Sequence, residues 1–306
     1  MRIVFMGTPE FAVGSLKVLL EKHEVVGVFT QPDKPVGRKQ ILTPPPVKLA
    51  AESAGIPVFQ PNSVKTPEAL ELLKKLEPEI IVVVAYGKIL PPEILHLPPL
   101  GCVNVHASLL PRHRGASPIQ WCLVCGDKKT GVTTMKMDEG MDTGDMLIKS
   151  ELKILPEETA GELHDRLAVL GAETLIKTLD GLEDGRIRAV PQPEDGVTYA
   201  PIIKKEMALI DFKRNADAIV NTVRGFNPWP VAYLYFERKR VKVYKARVVE
   251  AVGRPGEVLK SDTGLIVACK EQAVEFLEVQ PEGSKKMPAS AMLRGRPIPV
   301  GTMLGD

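Results

Sequence analysis

The 306-residue chain reads as an α/β protein: a doubly wound, mostly parallel sheet followed by a small antiparallel β-barrel. Three observations predict this. Short β-branched runs alternate with polar or helical stretches over residues 1–150. One of those runs, residues 80–85, is apolar throughout, as a strand covered on both faces requires. After residue 225 the texture changes to closely spaced strands with little helix between them.

The elements follow in order. "RIVFMG", "EVVGVFT", "EIIVVVA", "CVNVHA" and "GVTTMKM" are the strands of a Rossmann-like sheet. "TPEALELLKKL" has Thr66 as N-cap, Pro67 at the first helical position and leucines at helical spacing. Residues 156–182 form a long helix, with Thr159 and Glu162 at capping-box spacing and one apolar face of Leu163, Leu167, Leu170, Ile176 and Leu179. A Pro- and Gly-rich stretch follows, then a short helix over 215–224. "VAYLYFERKRVKVYKARVV", "GEVLKSDTGLIVAC" and "AVEFLEVQ" supply the strands of an OB-like barrel, with their aromatic residues expected mainly in its core. The expected domains are 1–189 and 207–306, joined by a linker over 190–206.

Composition narrows the class. With 44% hydrophobic and 25% charged residues the chain can bury a sizeable core, and no run of 18 apolar residues is present to span a membrane. "MRIVFMGTPEF" lacks the pattern of a signal peptide, so a cytoplasmic protein is expected. Residues 1–203 carry 22 Lys and Arg against 26 Asp and Glu, whereas residues 204–306 carry 18 against 12. A basic C-terminal part suits a polyanionic partner. Cys122 and Cys125 form C-x-x-C without a second pair, which reads as two small residues on a helix rather than a metal site.

Two segments point to chemistry. Asn104 and His106 are two apart on a strand, so they share a face near its C-terminal end, where open α/β sheets place their ligand crevice. An amide donor beside an imidazole suits a carbonyl oxygen that gains negative charge. Alternatively, the pair is a satisfied core His with an Asn capping a loop. Downstream, "DEGMDTGD" offers Asp138, Glu139, Asp142 and Asp145, any one of whose aspartates could orient the imidazole. The glycines read as turns and the spacing is not that of a calcium loop, so no metal is expected. Residues 30–48 hold five prolines and four basic residues, Lys34, Arg38, Lys39 and Lys48. They read either as a solvated surface loop or as a cationic loop that closes on an anionic substrate. Dinucleotide, phosphate-loop and serine-hydrolase signatures are absent.

Asn-x-His followed by "SLLPRHRG", with "DEGMDTGD" downstream, resembles the signature of the folate-dependent formyltransferases. "FMGTPEFA", "TQPDKPVGR", "PPVKLAA", "VVVAYGKILP", "NVHASLLPRHRGASPIQW" and "FNPWP", in this order, extend the resemblance to the methionyl-tRNA formyltransferase family over nearly the whole chain. The resemblance implies Asn104, His106 and Asp142 as the catalytic group. It also implies that Ser108, Leu109, Leu110 and Pro111 line the pocket for 10-formyltetrahydrofolate and that Arg38 meets the acceptor end of initiator methionyl-tRNA. The expected enzyme is a cytoplasmic monomer that uses no metal. Two alternatives stay open: a formyltransferase acting on a small amine such as an amino sugar-nucleotide, and a non-catalytic tRNA-binding protein.

Overall fold

The computed structural model describes residues 1–37 and 39–305. The chain forms two compact units. The first holds Met1–Gly115, Lys129–Lys153 and His164–Tyr199; the second holds Ala116–Lys128, Ile154–Leu163 and the chain from Ala200 onward.

In the first unit the chain runs through β1 (Arg2–Gly7), α1 (Val13–Lys22), β2 (Glu24–Phe29), β3 (Lys34–Val36), β4 (Ile41–Thr43), α2 (Pro46–Ser53) and β5 (Val58–Phe59). It continues through α3 (Pro67–Leu76), β6 (Ile80–Val84), α4 (Pro92–Leu95) and β7 (Cys102–His106). After α5 (Pro118–Val124), which belongs to the second unit, come β8 (Lys129–Lys136), β9 (Met146–Lys153) and α6 (Ala160–Glu183), whose start through Leu163 also belongs to the second unit. Seven strands make one sheet in the order β5-β2-β1-β6-β7-β8-β9. The first five are parallel to one another, β8 runs antiparallel to β7, and β9 runs antiparallel to β8. The winding reverses between β1 and β6, which is where such sheets open a crevice at the C-terminal strand ends.

Burial explains why these segments are strands. Residues 3–6 of β1 and 80–84 of β6 are buried throughout, so both faces of the central strands are covered. Gly171 lets α6 lie close against β7 and β8: a Cβ there would sit 3.2 Å from Val105 Cγ1. Thr66 caps α3 by accepting the Ala69 amide at 3.3 Å, and Thr66→Ala should cost about 1 kcal/mol in urea unfolding followed by far-UV circular dichroism. The box at the head of α6 is made in both directions, Glu162 taking the Thr159 amide and Thr159 the Glu162 amide.

The 30–48 segment, read from sequence as a loop, carries the β3–β4 hairpin, with Lys34 opposite Thr43 and Val36 opposite Ile41. Its base is tied down. Lys48 Nζ donates to both oxygens of Asp33 at 3.0 Å and to Gln60 Oε1 at 2.9 Å, while Gln60 Nε2 donates to Asp33 Oδ1 and to the Gln31 carbonyl at 2.8 Å. Hydrogen bonds from Gln60 and then Lys48 hold the Asp33 carboxyl below the usual carboxylate range.

The second unit adds α7 (Ala216–Gly225), β10 (Tyr233–Phe236), β11 (Lys239–Val249), β12 (Val258–Ser261), β13 (Leu265–Ala268), β14 (Ala273–Pro281), β15 (Met287–Pro288) and α8 (Ala289–Gly295). Its strands pair antiparallel in the order β10-β11-β14-β13-β12, with β15 on β14. The sheet curls into a half-barrel around Phe212, Ile219, Leu234, Val243, Phe276 and Val279. Period-two alternation sends Leu234 and Phe236 of β10 inward and leaves Tyr233 and Tyr235 half-buried.

Candidate active site

Strand β7 ends beside β6 on one side and β8 on the other, delivering Asn104 and His106 to the C-terminal edge of the sheet. Asn104 is half-buried, and its side-chain amide makes no hydrogen bond to any described residue. A half-buried polar group left unpaired is costly unless water or a ligand meets it. His106 is the opposite case. It is buried, its Nε2 lies 2.9 Å from the His113 carbonyl oxygen, and its Nδ1 lies 3.6 Å from Asp142 Oδ2. An acceptor therefore faces each ring nitrogen.

Of the loop's aspartates, Asp142 is the one that reaches the imidazole. Its Oδ2 also accepts the Gly115 amide at 2.7 Å. Asp138 is spent on shaping the same loop, accepting from the Gly140 amide and the Thr143 hydroxyl. Gly144 closes the turn where no other residue fits, because a Cβ there would overlap the Lys136 carbonyl oxygen. Backbone strain gathers at this edge. Ala85 after β6, His113 and Asp142 all have left-handed φ, at +47°, +58° and +55°. Such conformations persist in non-glycine residues only where the surroundings impose them.

The Ser108–Pro111 turn follows β7 directly. Thr133 of β8 holds it from beneath, its hydroxyl donating to the Ser108 carbonyl at 2.7 Å and accepting from the Leu110 amide at 3.1 Å. Ser108 Oγ donates to the Arg112 carbonyl at 2.6 Å, and Leu110 packs with Met135 and Met146. Three of these four side chains are thus buried within the protein, and Leu109 alone is half-exposed. What the turn offers a ligand is backbone and shape. Arg38 lies outside the described residues.

Residues 184–204 contain no helix or multi-residue strand, yet part of the stretch belongs to the site. Val190 exchanges backbone hydrogen bonds with Met146 at 2.8 and 2.9 Å. Gln192 bonds to the Asp142 loop, and the Thr198 hydroxyl accepts the His113 amide at 2.8 Å. Sequence reasoning missed Gln192, Thr198 and Thr133. The first two are 50 and 85 residues from their partners in the chain, so no local pattern could have found them.

No group of three or more His, Cys, Asp or Glu suited to a metal ion occurs among the described residues, and none of their helices is long and apolar enough to cross a membrane. Burial pushes the Cys102 thiol up to about 12, which removes it as a nucleophile. Cys122 is buried in α5 and Cys125 is exposed just past its end, so only the first behaves as a packed apolar residue.

In the second unit the sequence expectation about aromatics needs correcting. Tyr235 and Tyr244 are half-buried on the outer face of the sheet rather than in its core, and Tyr233 packs against a smaller cluster of Ile203, Ala208 and Phe226. Arg240 lies 4.6 Å over the Tyr233 ring and Lys286 4.6 Å over that of Tyr244. Tyr235, Arg240, Lys242, Gln280 and Glu282 line a hollow of about 500 Å³. Aromatic faces interleaved with cations are the surface chemistry of nucleic-acid binding.

The sequence profile of the formyl transferase family matches residues 1–179, and that of the formyl transferase C-terminal domain matches residues 202–297. A methionyl-tRNA formyltransferase of Caldanaerobacter subterraneus subsp. tengcongensis is 54% identical over 99% of this chain and 100% of its own length. The chain belongs to the methionyl-tRNA formyltransferase family. A second member, from Geotalea daltonii, is 50% identical over 100% of this chain and 98% of its own. The fold reaches beyond the family. The crystal structure of an N-formyltransferase from Helicobacter canadensis, in complex with folinic acid and dTDP-3-aminofucose, superposes with a TM-score of 0.69 at 18% identity, over 91% of this chain and 98% of that one.

Proposed function

We propose that this protein transfers the formyl group of 10-formyltetrahydrofolate to the free amino group of initiator methionyl-tRNA, giving N-formylmethionyl-tRNA for translation initiation. The observation that carries the reading is identity of about half along the whole chain to methionyl-tRNA formyltransferases. Fold likeness alone would not choose the acceptor, because a sugar-nucleotide enzyme shares it. The intact site argues against a silent binding protein.

The donor supplies an electrophilic formyl carbon whose oxygen gains charge as the amine adds. A bond forms between the amine nitrogen and that carbon, the bond to N10 breaks, and the amine's proton is lost as N10 gains one. The residues present suit this chemistry. Asn104 carries the unengaged amide and donates to the developing oxyanion. His106, its Nε2 against the His113 carbonyl and its Nδ1 facing Asp142, donates a second bond to the oxyanion or handles a proton. Asp142 orients the imidazole and, through water, helps remove the amine's proton. Ser108, Leu109, Leu110 and Pro111 form the wall against which the folate lies, by backbone and shape.

Residues 1–189, joined by Gln192 and Thr198 from the 190–206 linker, would carry the chemistry and 207–306 the tRNA. Arg38 would meet the acceptor end, and the protein would work as a cytoplasmic monomer. Phosphate contacts bring salt dependence without reading sequence. The KM for methionyl-tRNA should therefore rise about tenfold or more between roughly 50 and 200 mM salt, with kcat little changed. Steady-state formylation across that range is the test, and a flat KM would contradict tRNA as the substrate.

A further inference from the structure

We propose that Gln192, braced by Arg114, is a positioning residue that clamps the Asp142 turn so that the carboxylate stays against His106. The inference rests on the role given to Asp142 above. Asp142 needs holding because its φ of +55° is left-handed, a conformation unfavourable for an L-residue. The contacts of its carboxylate, with the Gly115 amide and His106, do not fix the backbone of the turn. Gln192 does. Its Nε2 donates one hydrogen to the Asp142 carbonyl at 2.8 Å and the other to the Gly144 carbonyl at 2.8 Å, so a single amide spans the turn.

The other end of the same amide is also engaged. Gln192 Oε1 accepts from Arg114 Nε at 3.0 Å and Nη2 at 2.7 Å. Only this orientation works, because a flipped amide would set its oxygen against two carbonyl oxygens and its NH2 against a guanidinium. Arg114 precedes Gly115, whose amide holds the Asp142 carboxylate. Residues 114 and 115 therefore grip Asp142 by two routes, one at its side chain and one through Gln192 at its backbone. The Val190–Met146 backbone pair anchors the segment two residues before Gln192.

The test is a double-mutant cycle in formylation kinetics with Asp142→Asn, Gln192→Ala and the two combined. Groups that act as one unit give non-additive losses. Gln192→Ala should lower kcat by about tenfold to a hundredfold while both KM values stay within about twofold. In the Asp142→Asn background the same change should cost nothing further. Gln192→Glu keeps the length and the acceptor for Arg114 but cannot donate to two carbonyls, so it should lose kcat like Gln192→Ala. The same loss in both backgrounds would mean a general structural role and overturn the clamp. So would an unimpaired Gln192→Ala beside an impaired Asp142→Asn. An unimpaired Asp142→Asn would overturn the reading of Asp142 and the clamp together.

Discussion

Asn104→Ala should reduce kcat for formyl transfer by about 10²–10³, equivalent to about 2.7–4 kcal/mol, with little change in either KM. The size follows from where the amide stands. It is half-buried on β7, two residues before His106, and it bonds to no described residue. His106 Nε2 is taken up by the His113 carbonyl and its Nδ1 faces Asp142, whereas the Asn104 amide can donate to new negative charge. Because truncation breaks no hydrogen bond to a described residue, stability should fall far less than rate. Steady-state kinetics paired with a urea titration checks both halves. Near-normal turnover would remove Asn104 from the mechanism, and a large loss of stability would mean that its amide is structural.

Phe276→Ala should destabilise the second unit by about 3–5 kcal/mol. Phe276 is fully buried on β14, paired with Ala246 of β11 and Leu265 of β13, and its ring meets Phe212 edge-on at 6.2 Å. Truncation leaves a cavity where three strands and the chain before α7 meet. The chain's two tryptophans, Trp121 and Trp229, both lie in this unit, so tryptophan fluorescence reports its unfolding selectively. The urea midpoint should drop by more than about 1 M. A loss below about 1 kcal/mol would contradict the half-barrel packed on Phe276.

How much of this was legible depended on whether the determining contacts were local. Strands β1, β2, β6, β7 and β8 could be read because burial writes apolar or β-branched runs into them. Strand β9 could not, because "MLIKSELK" is an edge strand that alternates half-buried and exposed residues. The hairpin in 30–48 is three residues a side, both strands are exposed, and prolines surround it, so loop chemistry masks it. The outward tyrosines of β10 were readable in principle, since "YLYF" alternates strictly.

The site divides the same way. Asn104 and His106 share a face by strand period alone. Asp142 could be separated from Asp138 and Asp145 only through family resemblance, whereas the folded loop separates them by contact. The Pro- and Gly-rich stretch after α6 looks like a linker, and its composition is a linker's. Its part in the site rests on two side chains, Gln192 and Thr198, whose partners lie far back in the chain.

The most direct measurement is transfer of labelled formyl from 10-formyltetrahydrofolate to initiator methionyl-tRNA, with uncharged tRNA and an amino sugar-nucleotide as parallel acceptors. Label on the methionyl-tRNA alone is the result expected. Label on the sugar-nucleotide instead would keep the chemistry and overturn the substrate, and no label on any acceptor would contradict the enzyme itself.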